Sequence, residues 1–173
     1  ATAFKEDDAY KEEMRDRGIT LIELIIVISI IGILVVALGF EFAGWQGGYK
    51  VEKTIKEIYA DLMDARARAM QFNREYFIDF PTATQYRMTE DTNDNYAFNP
   101  GAGVTIIQTF PKTVEYTIVY SGATPIVFDK RGLISNIGTL SLTSTTGPDY
   151  DCVRIRETQI NLGLMTGGAC VEK

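Results

Sequence analysis

The sequence contains no histidine, which removes the commonest general base and the commonest metal ligand together. It has one tryptophan and two cysteines, Cys152 and Cys170. No Ser/His/Asp set and no Cys/His pair can therefore be assembled, and no phosphate-binding loop is present. These absences exclude the familiar catalytic constellations, and neither an enzyme, a cofactor nor a metal is expected. Positive charge is not in surplus: 17 Lys and Arg stand against 23 Asp and Glu, a formal net charge of −6. That balance argues against broad, sequence-independent nucleic-acid binding. Proline is missing from the first 80 residues, since all five prolines (81, 100, 111, 125 and 148) come later. The chain thus divides into a front that can be helical and a back punctuated for strands and turns.

The front is dominated by Ile19–Phe40, 22 residues with one charge, Glu23. As a helix this run would measure about 33 Å at 1.5 Å per residue, enough for a hydrocarbon core of about 30 Å. A carboxylate inside such a run costs roughly 2.5–3.5 kcal/mol at the centre of a bilayer and less off-centre. Its presence calls for a use. Arg15 and Arg17 lie just before the run, while Glu41 precedes Lys50 on the far side, so the N-terminus is expected in the cytoplasm and the rest outside. On a domain carried across a membrane, Cys152 and Cys170 read as one disulfide closing a 19-residue loop. Such a loop contributes on the order of 3 kcal/mol in the chain-entropy picture. Two buried free thiols are the alternative.

Gly39, Gly44, Gly47 and Gly48 follow, each costing up to about 1 kcal/mol of helix stability relative to alanine, and they mark a hinge or an unwound segment. Trp45 and Tyr49 are placed for a membrane–water interface. Residues 49–72 are strongly helical, with Val51, Ile55, Ile58, Leu62, Ala65 and Ala69 stepping by four and three along one apolar stripe. Glu52–Lys56 and Asp64–Arg68 are i,i+4 pairs on the solvated side. Strands are predicted at 75–80, 85–89, 104–109, 113–120, 125–128, 139–143, 152–157 and 159–164. The fold class is therefore α+β: a long N-terminal helix, half transmembrane and half amphipathic, packed against antiparallel β-sheet. Three segments are expected: 1–18 as a leader, 19–48 as the membrane or filament helix with its glycine-rich end, and 49–173 as a globular head.

Arg17-Gly-Ile-Thr-Leu-Ile-Glu-Leu24, followed by the aliphatic run, resembles the class III signal of type IV pilins and type II secretion pseudopilins. The resemblance implies cleavage between Gly18 and Ile19 by a prepilin peptidase and N-methylation of Ile19. It also implies that Glu23 neutralises the N-terminal amine of a neighbouring subunit during filament assembly, which agrees with the cost of a lone acid in lipid. The implied partners are other pilin-like subunits or further copies of this chain, and the inner membrane; the implied end point is a periplasmic or extracellular filament. Residues 1–18 carry a net charge of −2, with four Lys/Arg against six Asp/Glu, where leaders of this family are usually basic. The absence of proline in Ala37–Glu41 favours a pseudopilin over a major pilin. Val127–Leu133, Thr139–Thr143 and Val153–Arg156 are similar to the head shared by the H-type minor pseudopilin and FimT-like minor pilins. Some FimT-like proteins take up DNA through a Gly-Arg-x-Arg pattern. Here Val153-Arg-Ile-Arg156 lacks that glycine, so nucleic acid is not an expected partner. The alternatives are such a DNA-binding minor pilin and a tethered domain that does not assemble. Glu90–Asn95 has the opening spacing of a calcium loop, but Tyr96 replaces its glycine and Ala102 its final acid. A polar turn is the simpler reading there, and likewise at Gly147–Asp151.

Overall fold

The computed structural model describes residues 19–99, 104–106 and 111–173, without the side chains of 38–45 and 104–106. The expected leader, 1–18, and the end of the strand expected over 104–109 lie outside the described residues. The chain divides into two compact units, one reaching to Phe42 and one running from Ala43 to Lys173.

Helix α1 is Leu21–Phe72. In the first unit every described side chain from Leu21 to Ala37 is exposed. Among the described residues no helix is long and apolar enough to cross a membrane. The 17 residues from Leu21 to Ala37 amount to about 26 Å of helix. The span expected over Ile19–Phe40 is thus incomplete within the described side chains, because Leu38–Phe40 fall outside them.

The second unit is built on the other part of α1. Val51, Ile55, Ile58, Leu62, Ala65 and Ala69, the stripe read from the sequence, are all 0–1% exposed. The helix ends on Asn73 at φ 54°, and the Arg74 N–H bonds the Ala69 carbonyl at 3.2 Å. A left-handed residue closed by this six-to-one bond satisfies an otherwise orphaned helix carbonyl.

Two antiparallel sheets cover the stripe. The first contains β1 (Tyr76–Thr82), β2 (Gln85–Asp91), β3 (Val104–Ile106), β4 (Lys112–Thr113), β6 (Ile126–Phe128) and β7 (Ile134–Ser135). Its order is β3-β2-β1-β6-β7, with β4 also on β2. The second contains β5 (Thr117–Tyr120), β8 (Gly138–Thr143), β9 (Cys152–Ile155), β10 (Ile160–Thr166) and β11 (Ala169–Glu172), ordered β11-β10-β9-β8-β5. Tyr76, Ile78 and Phe128 from the first sheet join Leu140, Val153 and Ile155 from the second in one core with the helix stripe. A latch adds to this packing: Asp61 on α1 accepts from the Tyr86 hydroxyl and from Lys112 Nζ, each at 2.5 Å. Burial, together with that carboxylate, pushes the Tyr86 phenol up.

Gly47 and Gly48 are not an unwound segment here: both are helical and serve close packing. A Cβ on Gly47 would meet Thr146 Cγ2 at 2.5 Å, and one on Gly48 would meet the Gly147 carbonyl oxygen at 3.3 Å. The loop that crosses them is tied down where the Asp149 N–H donates to Glu52 at 2.9 Å. This backbone donor, with the Lys56 ammonium in support, holds the Glu52 carboxyl below its ordinary value of 4.5. A depressed carboxylate stabilises the fold above its unfolded pKa and loses that contribution as pH falls through the lower, folded value. Glu52→Gln is accordingly expected to flatten the decline in melting temperature below about pH 4.5. Thermal scans of both proteins across that range measure it, and an unchanged acid limb would contradict the clamp.

Cys152 and Cys170 form a disulfide with Cα atoms 6.0 Å apart. They lie on β9 and β11, with β10 between them. Gly163 of β10 is paired with Cys152 on one side and Glu172 on the other. An added Cβ at Gly163 would meet Cys170 Sγ at 2.8 Å and press still closer on the Val171 carbonyl. Gly163→Ala is expected to lower stability by about 1–3 kcal/mol through overpacking. Chemical denaturation of the full chain in detergent micelles reads this as a lower midpoint.

Candidate functional site

Thr20 and Glu23 stand at the start of α1, and their side chains face each other. The Glu23 backbone N–H donates to Thr20 Oγ1 at 3.3 Å. In return, Glu23 Oε2 accepts from the Thr20 hydroxyl at 3.4 Å and from the Thr20 backbone N–H at 3.5 Å. This reciprocal arrangement is a capping box, which satisfies orphaned N–H groups of the first turn. The carboxylate also complements the positive end of the helix dipole. A sequence reading that assigns Glu23 to a neighbour's amine misses this local role. The signal for it is Thr20-Leu-Ile-Glu23 ahead of an apolar run.

Ile19 precedes the box and is 73% exposed; Gly18 lies outside the described residues. Beyond the box, the Ser29 hydroxyl is satisfied by the Ile25 carbonyl at 2.7 Å, so it adds no unpaired polar group to the apolar surface. A Cβ placed on Gly32 would have nothing within 4 Å. Among the described side chains of this unit, residues 19–37 are all exposed, and their one acid, Glu23, is held by its own cap. Tyr49 is 62% exposed, while the Trp45 side chain lies outside those described.

The other sequence-derived candidates resolve into structural roles. Asp91, fully buried, accepts the N–H groups of Tyr96 at 2.8 Å and Asn95 at 3.4 Å. Lys130 lies 3.6 Å from Asp94 and donates to the Tyr96 hydroxyl at 2.8 Å. This is the polar turn, with an ammonium against it. Asp151 Oδ1 likewise accepts the Met165 N–H at 2.6 Å. Among the described residues no cluster of acids and cysteines could hold a metal ion. Arg156 pairs with Glu172 at 2.6 Å, and Arg154 approaches the same carboxylate at 3.8 Å.

A helix with an exposed, capped apolar start, and a head of two antiparallel sheets on an amphipathic helix, define a pilin-like subunit. Residues 54–158, more than half of the chain, match the family model Type II transport protein GspH. The chain belongs to that family, which is one of structural subunits and not of enzymes. Residues 14–39 match the prokaryotic N-terminal methylation motif. Among solved structures, the minor pseudopilin EpsH from the type 2 secretion system of Vibrio cholerae is similar in fold. Its TM-score is 0.52 at 14% identity, covering 65% of this chain and 95% of that one. A second structure of the same Vibrio cholerae pseudopilin gives 0.47 at 10% identity, over 66% of this chain and 94% of that one. No curated protein matches the sequence.

Because glutamine at the third helical position also closes a capping box, Glu23→Gln is expected to keep the start of α1 intact. Glu23→Ala should fray it, at a cost of about 1 kcal/mol. Amide exchange at residues 21–25 of the full chain in micelles separates the two; equal exchange in both variants would deny the cap.

Proposed function

We propose that this chain is a structural subunit of a type II secretion pseudopilus or a related type IV pilus. It is made with 1–18 as leader, held in the inner membrane by 19–48 with its N-terminus in the cytoplasm, and presents 49–173 outside. A prepilin peptidase cuts between Gly18 and Ile19, Ile19 is N-methylated, and the apolar helix then leaves lipid for the helices of other pilin-like subunits. Within lipid there is no hydrophobic gain from that exchange, so packing and polar pairing must favour it. The observation that carries the reading is the single acid, Glu23, four residues past the Ile19 that cleavage would expose, in an otherwise uncharged run. The family match and the methylation motif support it.

The capping box sharpens the mechanism. Before assembly the Glu23 carboxylate is partly compensated by Thr20, which offsets some of the penalty of burying an unpaired charge. In the filament, an ammonium at Ile19 of a neighbour is a stronger partner than a hydroxyl. Nucleic acid is not among the proposed partners, because the chain carries a net charge of −6 and Arg156 is paired with Glu172 at 2.6 Å.

The experiment joins mass and assembly. Subunits from sheared filaments should begin at an N-methylated Ile19; an uncut chain would overturn the scheme. Glu23→Gln and Glu23→Ala should both insert into the membrane and both assemble poorly, since each lacks the charge. Normal incorporation of the glutamine variant alone would reduce Glu23 to a cap and remove its pairing role.

A further inference from the structure

The alternation of the second sheet sends Leu140, Leu142, Val153 and Ile155 into the core. It sends Thr139 to the opposite face beside Arg154, and Ser141 beside Cys152. That outer face is not flat. Strands two apart in a flat sheet are about 9–10 Å from each other, yet the disulfide holds Cys152 and Cys170 at 6.0 Å across β10. The curled β11 edge leaves an open hollow of about 360 Å³. The Ser121, Thr139 and Ser141 side chains line it together with the Arg154 side chain, and Val119 and Met165 add apolar surface.

The polar groups in the hollow are under-used. The carboxylate of Glu172 is engaged mainly by Arg156 at 2.6 Å and stands 3.8 Å from Arg154, outside hydrogen-bonding distance. Arg154 is 43% exposed, and the Thr139 and Ser141 hydroxyls make no hydrogen bond among the described residues. One guanidinium with two hydroxyl donors beside it suits an acceptor-only group of a single negative charge. A nucleic-acid strand would instead require several phosphate contacts, whereas Arg154 is the cation that the described lining of the hollow offers.

We propose that this hollow binds an acidic side chain presented by an extended polypeptide segment of another protein. The carboxylate meets Arg154 and the Thr139 and Ser141 hydroxyls, and its aliphatic stem lies against Val119 and Met165. The proposal is independent of filament assembly, since it uses the outer face of the head alone.

The probe is the peptide acetyl-Ser-Val-Glu-Val-Ser-amide, with its glutamine counterpart as the control. Each is titrated into the isotope-labelled full chain in zwitterionic micelles and followed by amide shifts. Saturable shifts at 119–121, 139–141 and 154 are expected for the glutamate peptide. Binding should weaken about tenfold for the glutamine peptide and for Arg154→Gln. It should strengthen for Glu172→Gln, which removes the resident competing carboxylate. Absent saturation, equal binding of both peptides, or undiminished binding to a folded Arg154→Gln would each overturn the site. So would a single-stranded oligonucleotide that displaces the peptide. The comparison of the two peptides requires no variant, so a misfolded substitution leaves the question decidable.

Discussion

The head depends on one apolar stripe. Val51, Ile55, Ile58, Leu62, Ala65 and Ala69 are withdrawn from water completely or nearly so, and side chains of both sheets close over them in a single core. Each large aliphatic side chain buried there contributes roughly 1.5–3 kcal/mol. The alanines at 65 and 69 contribute less area, but they let β-strands approach the helix closely. Each sheet has an apolar face that must be buried against another element, and the helix supplies that second layer. The Asp61–Tyr86–Lys112 latch then fixes how β2 and β4 sit on the helix. Without the stripe, that pairing would have nothing to hold in place.

Under the proposed function, Glu23 is a residue that is expensive in one environment and useful in two. Within the single chain it caps the first turn, in the range of contributions usual for N-terminal caps, about 0.5–2 kcal/mol. That is smaller than the cost of an acid at mid-bilayer, so the cap reduces the penalty without removing it. In the proposed function, that residual cost is what a cationic partner would relieve during assembly. An acid fully satisfied by its own chain would gain nothing from a neighbour, and an acid with no local partner would hinder insertion.

Much of the head is legible in the sequence because periodicity is a direct consequence of burial. The stripe on α1 can be read residue for residue, and the expected β1, β2, β6, β8, β9 and β10 lie close to their observed bounds. The strand expected over 113–120 is interrupted, with β4 ending at Thr113 and β5 beginning at Thr117. Two strands escape the sequence reading. β7 is two residues long and exists only through its pairing with β6, a non-local fact with no sequence period. β11 follows Gly167 and Gly168 at φ 60° and 84°, a Gly-Gly pair between alternating runs that is a recognisable hairpin signal. Reading the glycines at 47 and 48 as helix weakeners is correct as a propensity and wrong as a role. Their use depends on Thr146 and Gly147, about a hundred residues away in sequence, which propensity cannot register.

The disulfide also gains meaning from the sheet it crosses. A bond between neighbouring strands would only reinforce a ladder, whereas Cys152 and Cys170 flank a third strand and force curvature on it. That curvature is possible only where the intervening residue has no side chain, and Gly163 supplies that condition. The same constraint that stabilises the C-terminal hairpin therefore shapes the outer face of the second sheet. It sets the exposed Arg154 among hydroxyls in a concave surface and leaves Arg156 to neutralise Glu172. The covalent link and the glycine thus both contribute to the stability of this edge of the head and shape its outer face, so a substitution at either should alter both together.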